Sequence, residues 1–124
     1  MAHTLEIISK RSTFISVNKK GKIVHGKAFN IQFLEDQNLN NTIYVGFTAT
    51  KKIGTAVKRN KAKRIMRELA RKVIAKYGKI NSYYVLIAKK SIFEIHFQSQ
   101  EIELKEYFLV ILLGDTVMIQ YLKN

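Results

Sequence analysis

Apolar and polar residues alternate in two stretches of the first half of the chain, and this period of two predicts strands with one buried face. The stretch from Lys27 to Leu34 places its aromatic and isoleucine side chains on one face and its amides on the other. The stretch from Thr42 to Thr50 alternates in the same way, and Lys22 to Val24 is the expected partner of the first strand. Residues 35–41 are rich in Asp and Asn, which favour turns, so we predict an exposed loop there.

A continuous apolar run extends from Tyr83 to Ala88 and is ended by Lys89 and Lys90. Runs of this kind are typical of strands that are covered on both faces. The residues from Val117 to Leu122 are also strand-like, but the pattern assigns them no place in a sheet.

An apolar period of 3.6 residues begins after Gly54 and predicts a long helix. At about 100° per residue, its apolar positions form one narrow stripe that consists of Ala62, Ile65, Met66, Leu69 and Val73. We expect Lys51 and Lys52 to lie at the end of the preceding strand and Gly54 to form a turn. The helix is predicted to continue to about Tyr77, with Gly78 as its C-cap.

Two further helices are predicted on either side of this one. The first is short, is capped by Ser12 or Thr13 and ends at Gly21. The last begins near Gln98 to Gln100 and ends at Gly114, with an apolar stripe formed by Ile102, Phe108, Leu109, Leu112 and Leu113. The order helix, three strands, helix, strand, helix predicts an α+β domain with the helices gathered on one side of a small mixed sheet.

Composition agrees with a single domain over residues 1–124, because 47% of the residues are apolar and neither proline nor repeats mark a linker. No run approaches the ~20 apolar residues of a spanning helix, and the first residues do not resemble a secretory signal. Cysteine is absent, which fits a reducing compartment. We therefore expect a cytoplasmic protein that does not bind membranes.

The net charge of the chain indicates what kind of partner it binds. The formal net charge is +13, from 22 Lys and Arg against 9 Asp and Glu, and such an excess on a small domain implies a polyanionic partner. On the long helix, the side opposite the apolar stripe carries Asn60, Arg64, Arg67 and Arg71, with Lys61 and Lys63 on its flanks. Glu68 is its only acid, so the i,i+4 ion pairs of an ordinary solvated face are lacking.

Lys58 and Arg59 occupy the first turn of the same helix, where the helix dipole disfavours cations. A sequence selected for folding alone tends to place Asp or Glu there. A solvated charged face is the simpler interpretation of any basic run, but cations at an unfavourable position favour an external polyanion. Nucleic acid is the expected ligand.

Catalytic chemistry is not predicted for the protein itself. A nuclease needs clustered carboxylates for metal ions or an acid–base pair, but the acids are dispersed and His3, His25 and His96 are isolated in the sequence. We therefore expect no catalytic residue and no metal ligand on this chain.

The stretch from Lys51 to Glu68 resembles the signature of the bacterial ribonuclease P protein subunit. In that family a Lys-Lys-x-Gly strand end leads into a helix with an Arg-Asn-Arg motif. The corresponding residues here are Lys51 to Gly54 and Arg59 to Lys61, where a lysine replaces the final arginine. This replacement keeps the charge and loses the fork geometry of the guanidinium.

The resemblance covers the chain from about Phe14 to Leu113. It implies an α-β-β-β-α-β-α sandwich with a small mixed sheet, similar to domain 2 of ribosomal protein S5. It also implies that the β-α-β crossover around the basic helix is left-handed, whereas the general rule for such crossovers predicts a right-handed one.

The function that the resemblance implies is assistance to a catalytic RNA that removes the 5′ leader from precursor tRNA. The partners would be this RNA and precursor tRNA, with no small-molecule substrate, and Mg²⁺ would be bound mainly by the RNA. The residues expected to contact the RNA subunit are Lys51, Lys52, Lys58, Arg59, Asn60, Lys61 and Arg64. Those expected to contact the leader are Phe14, Lys27, Lys63 and Arg67.

The sequence departs from the family in the expected leader groove. Asn18 and Gln32 are polar at positions where an aromatic residue is common. Stacking of leader bases would then be weaker, or would be supplied by Tyr44 or by Phe33, although the alternation places Phe33 on the core side.

Two other functions are consistent with the composition. A ribosome-associated or general structured-RNA-binding domain would also present a basic face, but would show no preference for a tRNA that bears a leader. An autonomous basic nuclease would cleave RNA without an RNA partner.

Overall fold

A computed structural model describes residues 3–113 of the chain, with side chains as far as Val110. The strands are β1 (Leu5–Ile7), β2 (Lys22–Val24), β3 (Phe29–Glu35), β4 (Ile43–Thr48) and β5 (Ser82–Ala88). The helices are α1 (Arg11–Lys20), α2 (Ala56–Leu69) and α3 (Phe97–Leu113). A π-helical turn (Ala70–Ile74) and a final helical turn (Ala75–Tyr77) extend α2, and short 3₁₀ helices span Lys51–Ile53 and Lys90–Phe93.

The five strands form one mixed sheet in the order β1-β4-β5-β3-β2. β4 is parallel to both β1 and β5, whereas β3 is antiparallel to β5 and β2. β5 is therefore the central strand, which explains its continuous apolar run. The prediction of an α+β fold with a small mixed sheet is confirmed.

The sheet has a core on each face. On one face, β3, β4 and β5 pack against α2 and α3 through a large cluster that includes Phe29, Val45, Met66 and Phe108. On the other face, Val85 packs with Val17 of α1 and with Ile8. The expectation that all helices lie on one side is therefore wrong: α1 covers the second apolar face of the central strand.

β1 was not predicted. Its three residues lie at the edge of the sheet, and Ile7 is largely exposed, so the segment has no apolar period. Backbone hydrogen bonds fix it, because Ile8 N–H donates to Val45 O over 2.8 Å and His3 N–H donates to Ala75 O over 2.6 Å.

The helix α1 begins before the predicted cap. Its N-cap is Lys10, without a side-chain hydrogen bond, so the prediction of a Ser12 or Thr13 cap is wrong. Its end at Gly21 is confirmed, although the φ of −80° is not left-handed. Glycine is needed there for close approach, since a Cβ would lie 2.5 Å from the carbonyl oxygen of Val17 and 2.6 Å from that of Phe33.

The helix α2 confirms the predicted apolar stripe. Thr55 caps it by accepting a hydrogen bond from Lys58 N–H over 3.3 Å. The π-helical turn was not predicted. It inserts one extra residue into the turn, and this places Ala70, Val73 and Ile74 together in the core. Gly78 follows the last turn as predicted, with an extended backbone.

The predicted stripe of α3 is wrong in part. Ile102 and Leu109 are 56% and 58% exposed, whereas Leu104, Tyr107 and Phe108 are buried. The reason is Gln100, which is 2% exposed and donates to the carbonyl oxygens of Ile92 and Ile95 over 2.9 Å each. The buried side of α3 therefore includes an amide, which an all-apolar stripe does not anticipate. The side chains of Leu112 and Leu113, Gly114 and the strand-like segment 117–122 lie outside the described residues.

The unit β4-α2-β5 joins two adjacent parallel strands through the basic helix. This is the crossover for which the resemblance implies a left hand, and its handedness stays a prediction. Within residues 3–113, no helix combines the length and the apolar character that a membrane crossing requires.

Candidate nucleic-acid interface

A tight turn precedes α2 and positions its first cations. Lys51 and Lys52 lie in a 3₁₀ helix rather than at a strand end, because β4 stops at Thr48. Gly54 has a φ of +133°, a conformation that side chains strongly disfavour. The guanidinium of Arg59 donates to Gly54 O over 2.7 Å. Arg59 therefore stabilises the turn through this hydrogen bond and also adds a positive charge to the start of α2.

The residues predicted to bind the RNA subunit lie on the turn before α2 or on the first half of α2, and we call this region, apart from the flank that carries Lys61, the basic end of the domain. Lys51 and Lys52 are exposed on the turn, and Lys58, Asn60 and Arg64 are exposed on the first half of α2. Arg59 is half-buried because of its bond to the turn. Lys61 points to a different flank of the helix, where its Nζ lies 5.7 Å from the centre of the Phe93 ring.

Three of the four residues predicted to bind the leader line one cleft. Phe14 of α1 and Lys63 and Arg67 of α2 face each other across a cavity of about 410 Å³. The remaining lining comes from the ends of β1 and β4: Ile7, Ile8, Phe47, Thr48 and Ala49. The cleft therefore lies at the edge of the sheet, between α1 and α2.

The chemistry of this cleft suits a single nucleic-acid strand. Its walls combine aromatic rings with two cations, and proteins that bind single strands use aromatic surfaces for bases and basic residues for phosphates. The Arg67 guanidinium carbon lies 5.8 Å from the centre of the Phe47 ring. The Phe14 ring lies against Gly46, where an added Cβ would be only 2.5 Å from Phe14 Cε1.

Phe47 is a cleft residue that the sequence did not identify. The alternation places it on the same strand face as Val45, and part of its side chain packs against the large core. However, β1 pairs with β4 only as far as Val45, which lies opposite Ile7. Phe47 extends beyond this pairing and is half-exposed. The exposure of Phe47 follows from the fact that β4 extends beyond the end of β1. It could not be predicted, because β1 itself had no recognisable sequence pattern.

Lys27 does not line this cleft. It lies beside a second cavity, of about 730 Å³, together with Lys89, Glu103 and Tyr107. Lys27 N–H donates to Glu103 Oε1 over 2.9 Å, and Tyr107 O–H donates to the same oxygen over 2.7 Å. Burial and the Glu103 carboxylate raise the pKa of Tyr107. The two hydrogen bonds to Glu103 hold α3 against the residues that precede β3.

The polar positions of the expected groove contact each other. Gln32 Nε2 donates to Asn18 Oδ1 over 2.7 Å, and Gln32 is 7% exposed. Tyr44 lines a separate cavity with Tyr83, and the centres of their rings are 5.5 Å apart. Phe33 packs against the large core, as its alternation indicated. Phe47, rather than Tyr44 or Phe33, is the second aromatic residue beside Phe14.

Among residues 3–113, no group of three or more His, Asp or Glu side chains is placed to hold a metal ion.

Comparisons of sequence and of structure with known proteins identify the same family. The family model described as Ribonuclease P matches residues 3–111. The ribonuclease P protein component of Caulobacter vibrioides is 44% identical over 89 residues, which are 70% of this chain. The matched part spans 59% of that relative, less than two thirds of its length.

Solved structures agree with this match. The RNase P protein of Staphylococcus aureus superposes with a TM-score of 0.67 at 28% identity, over 85% of this chain and 93% of that one. The RNase P protein of Thermotoga maritima has the same fold, with a TM-score of 0.70 at 23% identity, over 83% of this chain and 94% of that one.

Proposed function

The chain belongs to the ribonuclease P protein family, and on that premise we propose that it is the protein subunit of ribonuclease P. It assists a catalytic RNA in removing the 5′ leader from precursor tRNA, and it does so by binding both the RNA subunit and the leader. We also propose that it acts in the cytoplasm, where tRNA precursors are made.

The observation that carries this proposal is the cleft between Phe14, Phe47, Lys63 and Arg67. A leader is a single strand of variable sequence, so its binding site must rely on phosphates and base faces rather than on base edges. Cations meet the phosphates, and aromatic rings accept any base by stacking, which contributes about 1–3 kcal/mol per base with little sequence preference.

The basic end of the domain supports the second contact. The exposed cations on the turn and the start of α2, among them Lys51, Lys52, Lys58 and Arg64, lie outside the cleft. Each contact between such a cation and an RNA phosphate releases condensed counterions, which adds affinity that falls with salt. The two surfaces share α2, so one helix holds the leader beside the RNA that cleaves it.

The proposal also divides the labour between the protein and its RNA partner. We propose that Mg²⁺ is held by phosphates of the RNA partner, where it supplies the catalytic metal chemistry. The protein contributes by positioning the leader and by lowering the repulsion between two polyanions, because its excess of cations lies between them.

A binding panel tests this proposal. Affinities are measured for a bacterial ribonuclease P RNA, for ribosomal RNA, and for precursor and mature tRNA presented to the protein–RNA complex. The proposal predicts tight binding of the ribonuclease P RNA and a clear preference of the complex for the precursor. Retention of ribosomal RNA without any preference for the leader would instead support a general structured-RNA-binding domain.

A further inference from the structure

A second aromatic cavity adjoins the cleft that we propose for the leader (the leader cleft). Tyr44 of β4 and Tyr83 of β5 line this cavity of about 280 Å³, which we call the tyrosine pocket, and both side chains are partly exposed. Ile7 and Ile8 line the tyrosine pocket and the leader cleft alike, so the two cavities are neighbours. The remaining lining residues of the tyrosine pocket are Ser9, Lys10, Thr13 and Leu39.

The register of the sheet places the tyrosine pair close to Phe14. Tyr44 and Gly46 lie on the same face of β4 because they are two residues apart, a separation of about 7 Å along a strand. The Phe14 ring lies against Gly46, and Tyr44 is paired in register with Tyr83 of β5. A strand of RNA that stacks on Phe14 therefore has two further rings within reach on the same face of the sheet.

The opposite direction from Phe14 offers no ring to a base. Asn18 lies one turn after Phe14 on the same side of α1, and its Oδ1 accepts a hydrogen bond from Gln32 Nε2 over 2.7 Å. These two polar side chains bond to each other, and Gln32 is only 7% exposed. The aromatic route out of the leader cleft therefore runs past the first turn of α1 rather than along the helix.

Two cations lie at this first turn of α1. Lys10 lines the tyrosine pocket, and its carbonyl oxygen accepts a hydrogen bond from Phe14 N–H over 3.4 Å. Lys10 and Arg11 are exposed, and no salt bridge joins either of them to another described residue. The helix dipole disfavours cations at the start of a helix, so these two charges do not serve the fold. They lie where a strand that connects the two cavities would carry its phosphates.

The charge around Tyr83 limits how far such a strand extends. A third cavity, of about 440 Å³, continues from Tyr83 and is lined by Glu35, Asp36 and Lys20. Glu35 is also ion-paired with Lys79, so the two acids and the two lysines balance. Because this region has no excess of positive charge, it does not favour a phosphate backbone. The aromatic route therefore ends at the tyrosine pair.

We infer that the tyrosine pocket is a second stacking site for the leader, which takes a base further from the cleavage site than the bases held in the leader cleft. The centres of the two tyrosine rings are 5.5 Å apart, so the rings contact each other and a base stacks on their exposed faces rather than between them. Stacking accepts any base, so this site responds to the length of the leader and not to its sequence. The inference rests on the proposed function.

The test measures the affinity of the protein–RNA complex for precursor tRNAs whose leaders increase in length nucleotide by nucleotide. The wild type is expected to gain affinity in two steps, first from the leader cleft and then from the tyrosine pocket. Tyr44→Leu and Tyr83→Leu keep apolar contact with the small core under α1. They are expected to lose about five- to tenfold in affinity for long leaders and nothing for short ones. Tyr44→Phe and Tyr83→Phe keep the ring and should retain the second step.

Tyr77→Leu is the matched control for the tyrosine variants. Tyr77 is also partly exposed, but it ends the helical turn Ala75–Tyr77 and packs against the large core on the other face of the sheet. Its replacement should leave both steps unchanged.

The cations at the start of α1 supply a second measurement. Lys10→Gln and Arg11→Gln should each reduce the salt slope for long leaders by about 1, with the slope for short leaders unchanged. Lys19→Gln is the control, because Lys19 is an exposed lysine in the last turn of the same helix. A larger loss in Lys19→Gln than in Lys10→Gln would place the leader along α1 and overturn the inference.

Wild-type affinity of Tyr44→Leu and Tyr83→Leu for long leaders also overturns it. So does an equal loss for short and long leaders, which would show that the tyrosines act only through the packing of α1. A wild-type complex that prefers a short-leader precursor to mature tRNA, but gains nothing from a longer leader, refutes the inference and leaves the proposed function intact. A complex with no preference for any leader refutes the proposed function itself.

Discussion

The guanidinium of Arg67 lies over the ring of Phe47, 5.8 Å from its centre, on the wall of the cleft that also contains Phe14. This contact holds the cation over the cleft, beside the path proposed for a leader phosphate. Arg67→Ala is expected to lower the affinity for precursor tRNA about tenfold, or ~1.4 kcal/mol, with little effect on mature tRNA. The measurement is the precursor-to-mature affinity ratio of the complex with the RNA subunit.

Arg71→Ala is the matched control for Arg67, because Arg71 lies one turn further along the helix and is paired with Glu68. It should leave the ratio near the wild-type value. If Arg67→Ala lowers the affinity for precursor and mature tRNA equally, the leader does not bind in this cleft.

Gly46→Ala tests the aromatic wall without removing an aromatic residue. Its new Cβ would lie 2.5 Å from Phe14 Cε1 and 2.7 Å from Phe14 Cζ, so the ring must move. Because stacking contributes about 1–3 kcal/mol per base, we expect a several-fold loss of precursor affinity with the RNA-subunit affinity unchanged. If the variant binds precursor as the wild type does, Phe14 does not stack on the leader. Circular dichroism checks that the fold is kept.

Arg59 is expected to affect two properties at once. Its guanidinium braces Gly54 O and its charge lies at the basic end, so Arg59→Ala should lower both thermal stability and RNA-subunit affinity. Lys58→Ala, at an exposed neighbour whose side chain makes no described hydrogen bond, should lower affinity and reduce the salt slope by about 1 without a loss of stability. An unchanged slope in both variants would exclude this end of α2 from the RNA contact.

The hydrogen bond between Gln32 and Asn18 is expected to stabilise the packing of α1 on the sheet. A double-mutant cycle with Asn18→Ala and Gln32→Ala should give a coupling energy of about 0.5–1.5 kcal/mol, measured by urea unfolding. Additive effects of the two substitutions would show that the pair contributes nothing beyond its separate contacts.

Stability should fall at high pH through Tyr107, whose pKa is raised by burial and by Glu103. An unfolded tyrosine ionises near pH 10, whereas the folded protein keeps this phenol protonated. The unfolded state therefore loses its proton first, and the contribution of Tyr107 is constant below about pH 10 and decreases above it. Urea unfolding from pH 8 to 11 should show the stability difference between wild type and Tyr107→Phe shrinking at the alkaline end. A constant difference would contradict this.

The parts of the fold that the sequence predicted well are those with a long, regular pattern. The basic helix has five apolar positions in one stripe, and the run from Tyr83 to Ala88 is continuous because β5 is central. β1 was missed because three residues at an edge have no period. The face of α3 was misassigned because the buried Gln100 makes its hydrogen bonds to Ile92 and Ile95, and a polar residue inside a helix stripe cannot be inferred from hydropathy.

The candidate site shows the same contrast. The helical period placed Lys63 and Arg67 away from the apolar stripe of α2, and the family resemblance assigned both of them and Phe14 to the leader. Phe47 was not identified because its exposure depends on where β1 stops pairing with β4. Lys27 lies in another cavity because the start of β3 is fastened to α3 by Glu103. Both outcomes depend on long-range contacts that a local pattern does not contain.

The most direct test of the proposed function is cleavage of a precursor tRNA by a bacterial ribonuclease P RNA at low magnesium concentration, with and without this protein. The account predicts that the protein stimulates cleavage at the 5′ junction and that the protein alone cleaves nothing. No stimulation, in a protein that still binds RNA in a salt-sensitive way, would contradict the assignment as the ribonuclease P subunit and leave a general RNA-binding domain.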